Sequence, residues 1–430
     1  MRPPVLPKSF AAPLGALLVV ACHDPLAVDA GTVERGTVAG RYVVSLRATP
    51  EGAPTGAHDG IRAAMARTHG RLRHEYVSGA YRGFAADLSA ADVEALRASP
   101  DVVDVEPDRE IHGAGLQLSP GWGLDRVDQT SLPLGGTYVY AGTGAGVTVF
   151  VFDTGLNYGH AEFGGRAAPG ADYVGTGAAD CNGHGSHVAG IVGGATRGVA
   201  KGVRLVSVRV LDCAMKGTTS EAILALGWVA DQKRAHPSTP MVANLSLEGE
   251  SASAAFDRAV SALATAGVTV VVAAGNSSVD ACTVSPARAP GALAVAATDA
   301  SDGFAAFANR GSCVALAAPG VGIESAWIGS DRATQWASGT SASAPFVAGA
   351  AALYLERHPA ASPAEVRAAL VDHAVAGQLL RVPPGTANRL LSVSFLTAAA
   401  DGLLAPRPLT QPRDGRPVPT RAGAGITTGG

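Results

Sequence analysis

The chain has 430 residues, of which 47% are hydrophobic and 16% charged, and its formal net charge is −3. That leaves room for one large domain with accessory segments and a sizeable core. The weakly negative balance argues against nucleic acid or an anionic membrane surface as a partner.

Taken in chain order, residues 1–22 read as an export signal. Arg2 and Lys8 supply a basic start, and Phe10 to Ala21 is an apolar run too short to span a bilayer. Two processing sites compete. Val19-Val20-Ala21-Cys22 resembles a bacterial lipobox, in which Cys22 would be lipidated and the precursor held on a membrane. Ordinary cleavage after Ala30, with Val28 and Ala30 as the small residues, is the rival. Both imply export, so a secreted, extracellular protein is expected. No later stretch is long and apolar enough for a transmembrane helix. Cys181, Cys213, Cys282 and Cys313 remain, and four cysteines in an exported chain point to two bridges with three possible connectivities. No Cys-x-x-Cys pair is present, which argues against zinc.

Residues 23–40 show no period and read as a linker. Residues 41–112 read as a small separate α+β unit, with strands over 41–46, 80–88 and 102–106. Its helices fall over 61–70 and 90–98, the second capped by Ser89. From Gly115 the pattern changes. Apolar runs at 147–152, 204–211, 241–247, 268–274, 293–297 and 314–318 are continuous rather than alternating, as in a parallel sheet covered on both faces. Helical stretches at 185–192, 220–235, 252–266 and 342–357 lie between them. The expected fold class over 115–396 is α/β, a doubly wound parallel sheet. Sites in such sheets lie at the carboxyl ends of the strands. Residues 397–430, rich in Pro and Gly, read as a disordered tail.

Four stretches carry chemistry. Ser341 stands in Ser338-Gly339-Thr340-Ser341-Ala342-Ser343-Ala344-Pro345, at the start of a helical run and among small neighbours. A serine there is a nucleophile or an N-cap. A nucleophilic serine needs an adjacent base. His184, between Gly183 and Gly185, can be that base with one face open. Asp153, after the first apolar run, can hold the imidazole in the right tautomer and stabilise its cation. Alternatively His184 and His187 form a metal pair, but no third ligand stands at a recognisable spacing. His187 is therefore expected to be buried and hydrogen-bonded. Asn276, after Ala273-Ala274-Gly275, can donate to a developing oxyanion or be a simple turn residue.

Asp153-Thr154-Gly155-Leu156, His184-Gly185-Ser186-His187-Val188-Ala189-Gly190 and Gly339-Thr340-Ser341-Ala342-Ser343-Ala344-Pro345 resemble the three signatures of subtilisin-like serine proteases. Ser186 stands where Thr is usual and Ala342 where Met is usual. The order Asp, His, Ser is the one subtilisin uses. The resemblance is nearest to the proteinase K branch and its aqualysin-type enzymes. It covers about 115–393, including Trp122 to Gln129. Residues 41–112 are similar to the subtilisin propeptide, an intramolecular chaperone and inhibitor, on Gly83-Phe84-Ala85-Ala86 and Val102-Val103-Asp104-Val105-Glu106-Pro107. A generic ferredoxin-like interaction domain is the alternative there.

The resemblance implies a triad of Asp153, His184 and Ser341, an oxyanion donor at Asn276, and bridges Cys181–Cys213 and Cys282–Cys313. Substrate-binding positions would be Gly217, Ser246, Leu247, Glu248, Gly249, Ala274 and Gly275. No cofactor is implied for the chemistry. A structural calcium ion is expected at Asp125, Asp128 and Gln129, with Gly135 and Thr137 at its other ligand positions. A second calcium site is expected to be lost, because Ala315 replaces its Asp. The substrate wall departs from the family's Ser-Leu-Gly-Gly-Gly at Glu248 and Glu250. Together these imply an exported, monomeric serine endopeptidase made as a zymogen, cut by itself after Ala114 and acting on polypeptides. A decayed protease serving as a binding module is the alternative.

Overall fold

The computed structural model describes residues 37–47, 56–77, 81–109, 115–175, 177 and 179–397. The signal segment with Cys22, linker residues 23–36, the expected cleavage point at Ala114 and the tail from 398 lie outside the described residues. The chain divides into two units, Met1–Glu110 and Ile111–Gly430.

In the first unit, β1 (Thr37–Leu46), α1 (Gly56–Met65), β2 (Arg71–Val77), β3 (Arg82–Asp87), α2 (Ala90–Arg97) and β4 (Val102–Arg109) follow in order. The antiparallel sheet runs β2-β3-β1-β4. Val44, Phe84, Ala86 and Val105 turn to one face and close on Ile61, Ala64, Val93 and Leu96 of the two helices. Ser89 caps α2 through a full capping box with Asp92, as its sequence indicates. The helix expected over 61–70 instead spans Gly56–Met65.

The second unit begins with β5 (Gly115–Leu118), α3 (Trp122–Val127), β6 (Thr137–Tyr140), β7 (Thr148–Asp153), β8 (Ala167–Asp172), α4 (His184–Gly193) and β9 (Arg204–Arg209). It continues with α5 (Thr219–Ala235), β10 (Met241–Leu245), α6 (Ala254–Thr265), β11 (Thr269–Ala273), β12 (Ala292–Thr298) and β13 (Val314–Pro319). It ends with β14 (Ile323–Ala326), β15 (Thr334–Ala337), α7 (Thr340–Arg357), α8 (Pro363–Asp372), β16 (Val375–Ala376) and β17 (Arg389–Leu390).

Nine strands form the main sheet in the order β16-β17-β13-β12-β11-β10-β7-β9-β8. All its pairings are parallel except β16 with β17. Both faces are dry, which is why the strands read as unbroken apolar runs. Along β7, Val149 and Val151 join one core with α4, α7 and α8, while Phe150 and Phe152 join another with α5 and α6. The chain moves outward from β7 to β9 and β8 on one side, and from β10 to β13 on the other. The order reverses between β7 and β10, the place where such sheets open a crevice at their carboxyl edge.

Candidate active site

Asp153 is the last residue of β7 and is fully buried. Its Oδ1 accepts from the Thr154 N–H at 2.8 Å and from His184 Nδ1 at 2.7 Å, and Oδ2 lies 2.9 Å from the same nitrogen. The carboxylate thereby fixes the proton on Nδ1 and leaves Nε2 as the basic nitrogen. Burial alone would lower the His184 pKa. The Asp153 charge and hydrogen bond, with a smaller effect of Asp180, carry it above the usual imidazole value instead.

His184 opens α4 because the chain turns sharply before it. Gly183 has φ +109°, and a Cβ there would also strike the Trp327 ring. His187, one turn on, is buried, and its Nε2 pairs with the Ile323 carbonyl at 3.0 Å. Burial, with a smaller effect of His184, lowers its pKa to about 4, against the bond to the Ile323 carbonyl, which raises it. It is the buried, hydrogen-bonded histidine expected, and among the described residues no cluster of three His, Cys, Asp or Glu is placed to hold a metal ion.

Ser341 is the second residue of α7, with Gly339 as the N-cap, so the capping alternative does not hold. Pro345 lies four residues on and has no N–H to give the Ser341 carbonyl. The Ser246 hydroxyl fills that gap, donating to Ser341 O at 2.9 Å, and Asn244 Nδ2 donates to Ser246 Oγ at 2.9 Å. Ser246 directly follows β10, beside the end of β7.

Asn276 stands beyond β11. Its Oδ1 accepts from the Thr340 N–H at 2.8 Å and lies 3.1 Å from the Thr340 hydroxyl. A backbone N–H can only donate, so the amide orientation is settled and Nδ2 is the group left for a ligand. Gly275 is required at φ +103°, where a Cβ would meet the side chains of Glu248 and Asn309. Glu248 is exposed, and its Oε2 accepts from the Asn276 N–H at 2.8 Å. Leu247 and Gly249 are half-buried beside it, Ala274 is buried at the end of β11, and Gly217 lies in an exposed turn after β9.

Asp153, Ser246 and Asn276 stand at the carboxyl ends of β7, β10 and β11, where the strand order reverses, and Ser246 and Asn276 both bond the turn of Ser341, while Gly217 lies beyond β9. The model of the subtilase family matches residues 144–402, and that of the peptidase inhibitor I9 family matches 42–113. The chain belongs to the subtilase family.

An extracellular serine proteinase of Thermus sp. (strain Rt41A) is 46% identical to this subtilase over 342 residues, spanning 78% of this chain and 82% of that one. Alkaline serine exoprotease A of Vibrio alginolyticus is 45% identical over 317 residues, which is 72% of this chain and 58% of that one. The crystal structure of a cold-adapted subtilisin-like serine proteinase matches with TM-score 0.61 and 46% identity, over 64% of this chain and 98% of that one. This subtilase is therefore a serine proteinase carrying an inhibitor domain.

The two disulfides pair as that resemblance implies. Cys181–Cys213 ties the loop before His184 to the turn after β9, where Asn182 Nδ2 also holds the Cys213 carbonyl at 2.9 Å. Cys282–Cys313 ties the segment after β11 to the start of β13.

The expected calcium ligands behave differently. Asp125 Oδ1 and Oδ2 accept from the Gly135 and Gly136 N–H groups at 2.9 and 2.8 Å. Gln129 Oε1 accepts from Gly135 N at 2.9 Å, while its Nε2 donates to the Ser131 and Pro133 carbonyls at 2.6 and 3.0 Å. Asp128 Oδ2 accepts from Val139 N at 2.6 Å. Calcium takes six to eight oxygens, and here the oxygens are turned onto N–H donors. Burial, with Asp125 nearby, raises the Asp128 pKa to about 6, against the bond from the Val139 N–H.

Sequence reasoning passed over Asp180, Thr154, Asn244 and Thr340, each hydrogen-bonded within this site. An acid just ahead of a helix start was the available signal for Asp180.

Proposed function

We propose that this subtilase is an exported serine endopeptidase, made as a zymogen, which hydrolyses polypeptides through Asp153, His184 and Ser341. The observation that carries the reading is the buried Asp153–His184 couple at the reversal of strand order, with Ser341 at the head of the adjacent helix. His184 Nε2 takes the proton from Ser341 Oγ as the oxygen attacks the scissile carbonyl. Asp153 stabilises the imidazolium that results. The negative charge moves to the carbonyl oxygen, which receives N–H donors from Asn276 Nδ2 and the Ser341 backbone. That backbone N–H is among the first-turn donors of α7 that have no intrahelical acceptor. Collapse expels the amine, which takes the proton from His184 and leaves an acyl-enzyme. Water, deprotonated by His184, then releases the acid and restores Ser341.

Residues 41–112 act as chaperone and inhibitor until the site cuts after Ala114. The mature enzyme, with its peptidase domain over 115–396, is a monomer acting outside the cell. If Cys22 is the lipidated residue, that same cut frees the enzyme from its anchor. Fluorophosphonate labelling of the full chain and of Ser341→Ala tests the core of this reading. The parent should label, cleave peptides and yield a mature chain starting at Gly115. A Ser341→Ala chain that still labels and matures would sink it.

A further inference from the structure

We propose that Asp180 is a positioning residue of this site, a second carboxylate that locks the His184 segment onto the Asp153 segment. The inference rests on the triad reading above. Asp180 Oδ1 accepts from the Thr154 hydroxyl at 2.9 Å and from the N–H groups of Asn182 and Gly183 at 2.9 and 2.8 Å. Its Oδ2 accepts from the Ser186 N–H and hydroxyl at 2.9 and 2.7 Å. The two hydroxyls then reach across in opposite directions. Thr154 Oγ1 accepts from Gly185 N at 3.0 Å, and Ser186 Oγ accepts from Asn157 N at 2.8 Å. Thr154 and Ser186 are both fully buried.

Gly183 cannot cap α4 with a side chain. The N–H groups at the start of α4 are instead satisfied by Asp180, Thr154 and Asn182, whose Oδ1 accepts from His184 N at 3.2 Å. The clamp therefore sets both where the His184 backbone stands and how it meets the residue after Asp153. Asp153, Asp180 and His187 are the titratable groups acting on His184 or acted on by it, and Asp180 supports its cation. The carboxylate stays off the reacting atoms, so its effect runs through His184.

The test compares Asp180→Asn with the parent in the full-length precursor. Asn keeps one acceptor oxygen, loses the charge and leaves the Ser186 N–H without its partner. We expect kcat per fluorophosphonate-titrated site to fall by about ten- to a hundredfold, the scale of a misplaced catalytic group, with KM nearly unchanged. The acid limb of kcat/KM should move to lower pH, because removing a carboxylate lowers the His184 pKa. Thr154→Val, which deletes one arm of the clamp, should lower kcat, and Thr154→Ser should restore it. Unfolding of each variant is followed in the Ser341→Ala background, which removes self-cleavage. A variant that fails to mature yet unfolds at the parent's temperature supports the proposal. Failure to mature with a collapsed unfolding temperature would make Asp180 merely structural and overturn it. So would parental kcat and an unmoved acid limb in a mature Asp180→Asn enzyme. A parent that takes no fluorophosphonate label would instead remove the protease reading itself.

Discussion

On one side of the site the imidazole and its helix are held by carboxylates. Asp153 grips Nδ1, and Asp180 gathers the segment around it. On the other side the serine and its helix are held by neutral groups. Asn276 Oδ1 takes the Thr340 N–H, and Ser246 takes the Ser341 carbonyl. The difference follows the charge each side must carry. In the proposed mechanism a cation develops on His184, so fixed negative charge beside it helps. In that mechanism an oxyanion develops near Asn276 and Ser341, where a carboxylate would oppose it and oriented dipoles do not. Breaking the first side should therefore show in ionisation, and breaking the second in transition-state stabilisation at unchanged pH dependence.

The largest effect sits where the two sides meet. Ser341→Ala should lose about 10⁶-fold in kcat, the scale that removal of the nucleophile has in subtilisin, a member of the same family. The precursor should keep its N-terminal unit attached, as seen by mass on a denaturing gel. Cleavage of a peptide substrate at the parental rate would break the comparison altogether.

Asn276→Leu comes next. Removing one oxyanion donor costs about 10²–10³-fold in kcat, again a scale taken from subtilisin. The acid limb of kcat/KM should stay in place, in contrast to Asp180→Asn. A shifted limb in Asn276→Leu would show that the two sides are not electrostatically separate. The variant also strips the acceptor from Thr340 N, so part of the loss belongs to the Ser341 turn.

Ser246→Ala should be milder. It leaves the Ser341 carbonyl and Asn244 Nδ2 without the Ser246 hydroxyl at a site where Pro345 can offer no replacement. An unmet buried polar group costs about 1–3 kcal/mol. Chemical unfolding in the Ser341→Ala background should register that loss, and Ser246→Thr should recover most of it. Equal stability of Ser246→Ala and its parent would mean that water serves the carbonyl equally well.

The same contrast separates what could be read in the sequence from what could not. The core strands were legible because a sheet dry on both faces demands runs such as Val149–Phe152 and Val270–Ala274. β8 was not, since Ala167–Asp172 contains Pro169 and Gly170 and survives only as an edge. β2 was not, because Arg71–Val77 is exposed along almost its whole length and shows no alternation. Asp153, His184 and Ser341 were legible because each lies in a short local pattern. The partners that orient them were not. Thr340 meets Asn276 across 64 residues, and Thr154 meets Asp180 across 26. Such pairings exist only once the sheet has brought β7, β10 and β11 side by side. At the loop of Asp125, Asp128 and Gln129 the residue types were legible, while the N–H groups that their oxygens accept from were not.

Glu248 breaks the division between the two sides, and its removal is the smallest and most selective test. Its Oε2 rests on the Asn276 N–H, so a negative charge stands against the backbone of the proposed oxyanion donor itself. The site tolerates this in two ways. Glu248 is exposed, so water screens it, and one oxygen is spent on a backbone donor rather than aimed at the substrate. A substrate side chain entering beside Asn276 still meets the charge. At 4 Å two unit charges interact by about 1 kcal/mol in water and about 4 kcal/mol near a protein surface. Acidic residues next to the scissile bond should therefore be cut more slowly than neutral ones, and basic residues faster. Gln can keep the acceptor oxygen on Asn276 N while losing the charge. Glu248→Gln should raise kcat/KM on acidic substrates and lower it on basic ones by about fivefold each, narrowing the ratio by about thirtyfold at the lower of those two energies. Its kcat on neutral substrates should rise slightly, because the charge opposing the oxyanion is gone. A ratio of basic to acidic turnover that is the same in Glu248→Gln and its parent would show that Glu248 faces solvent alone. The uncharged character of the serine side would then hold without exception.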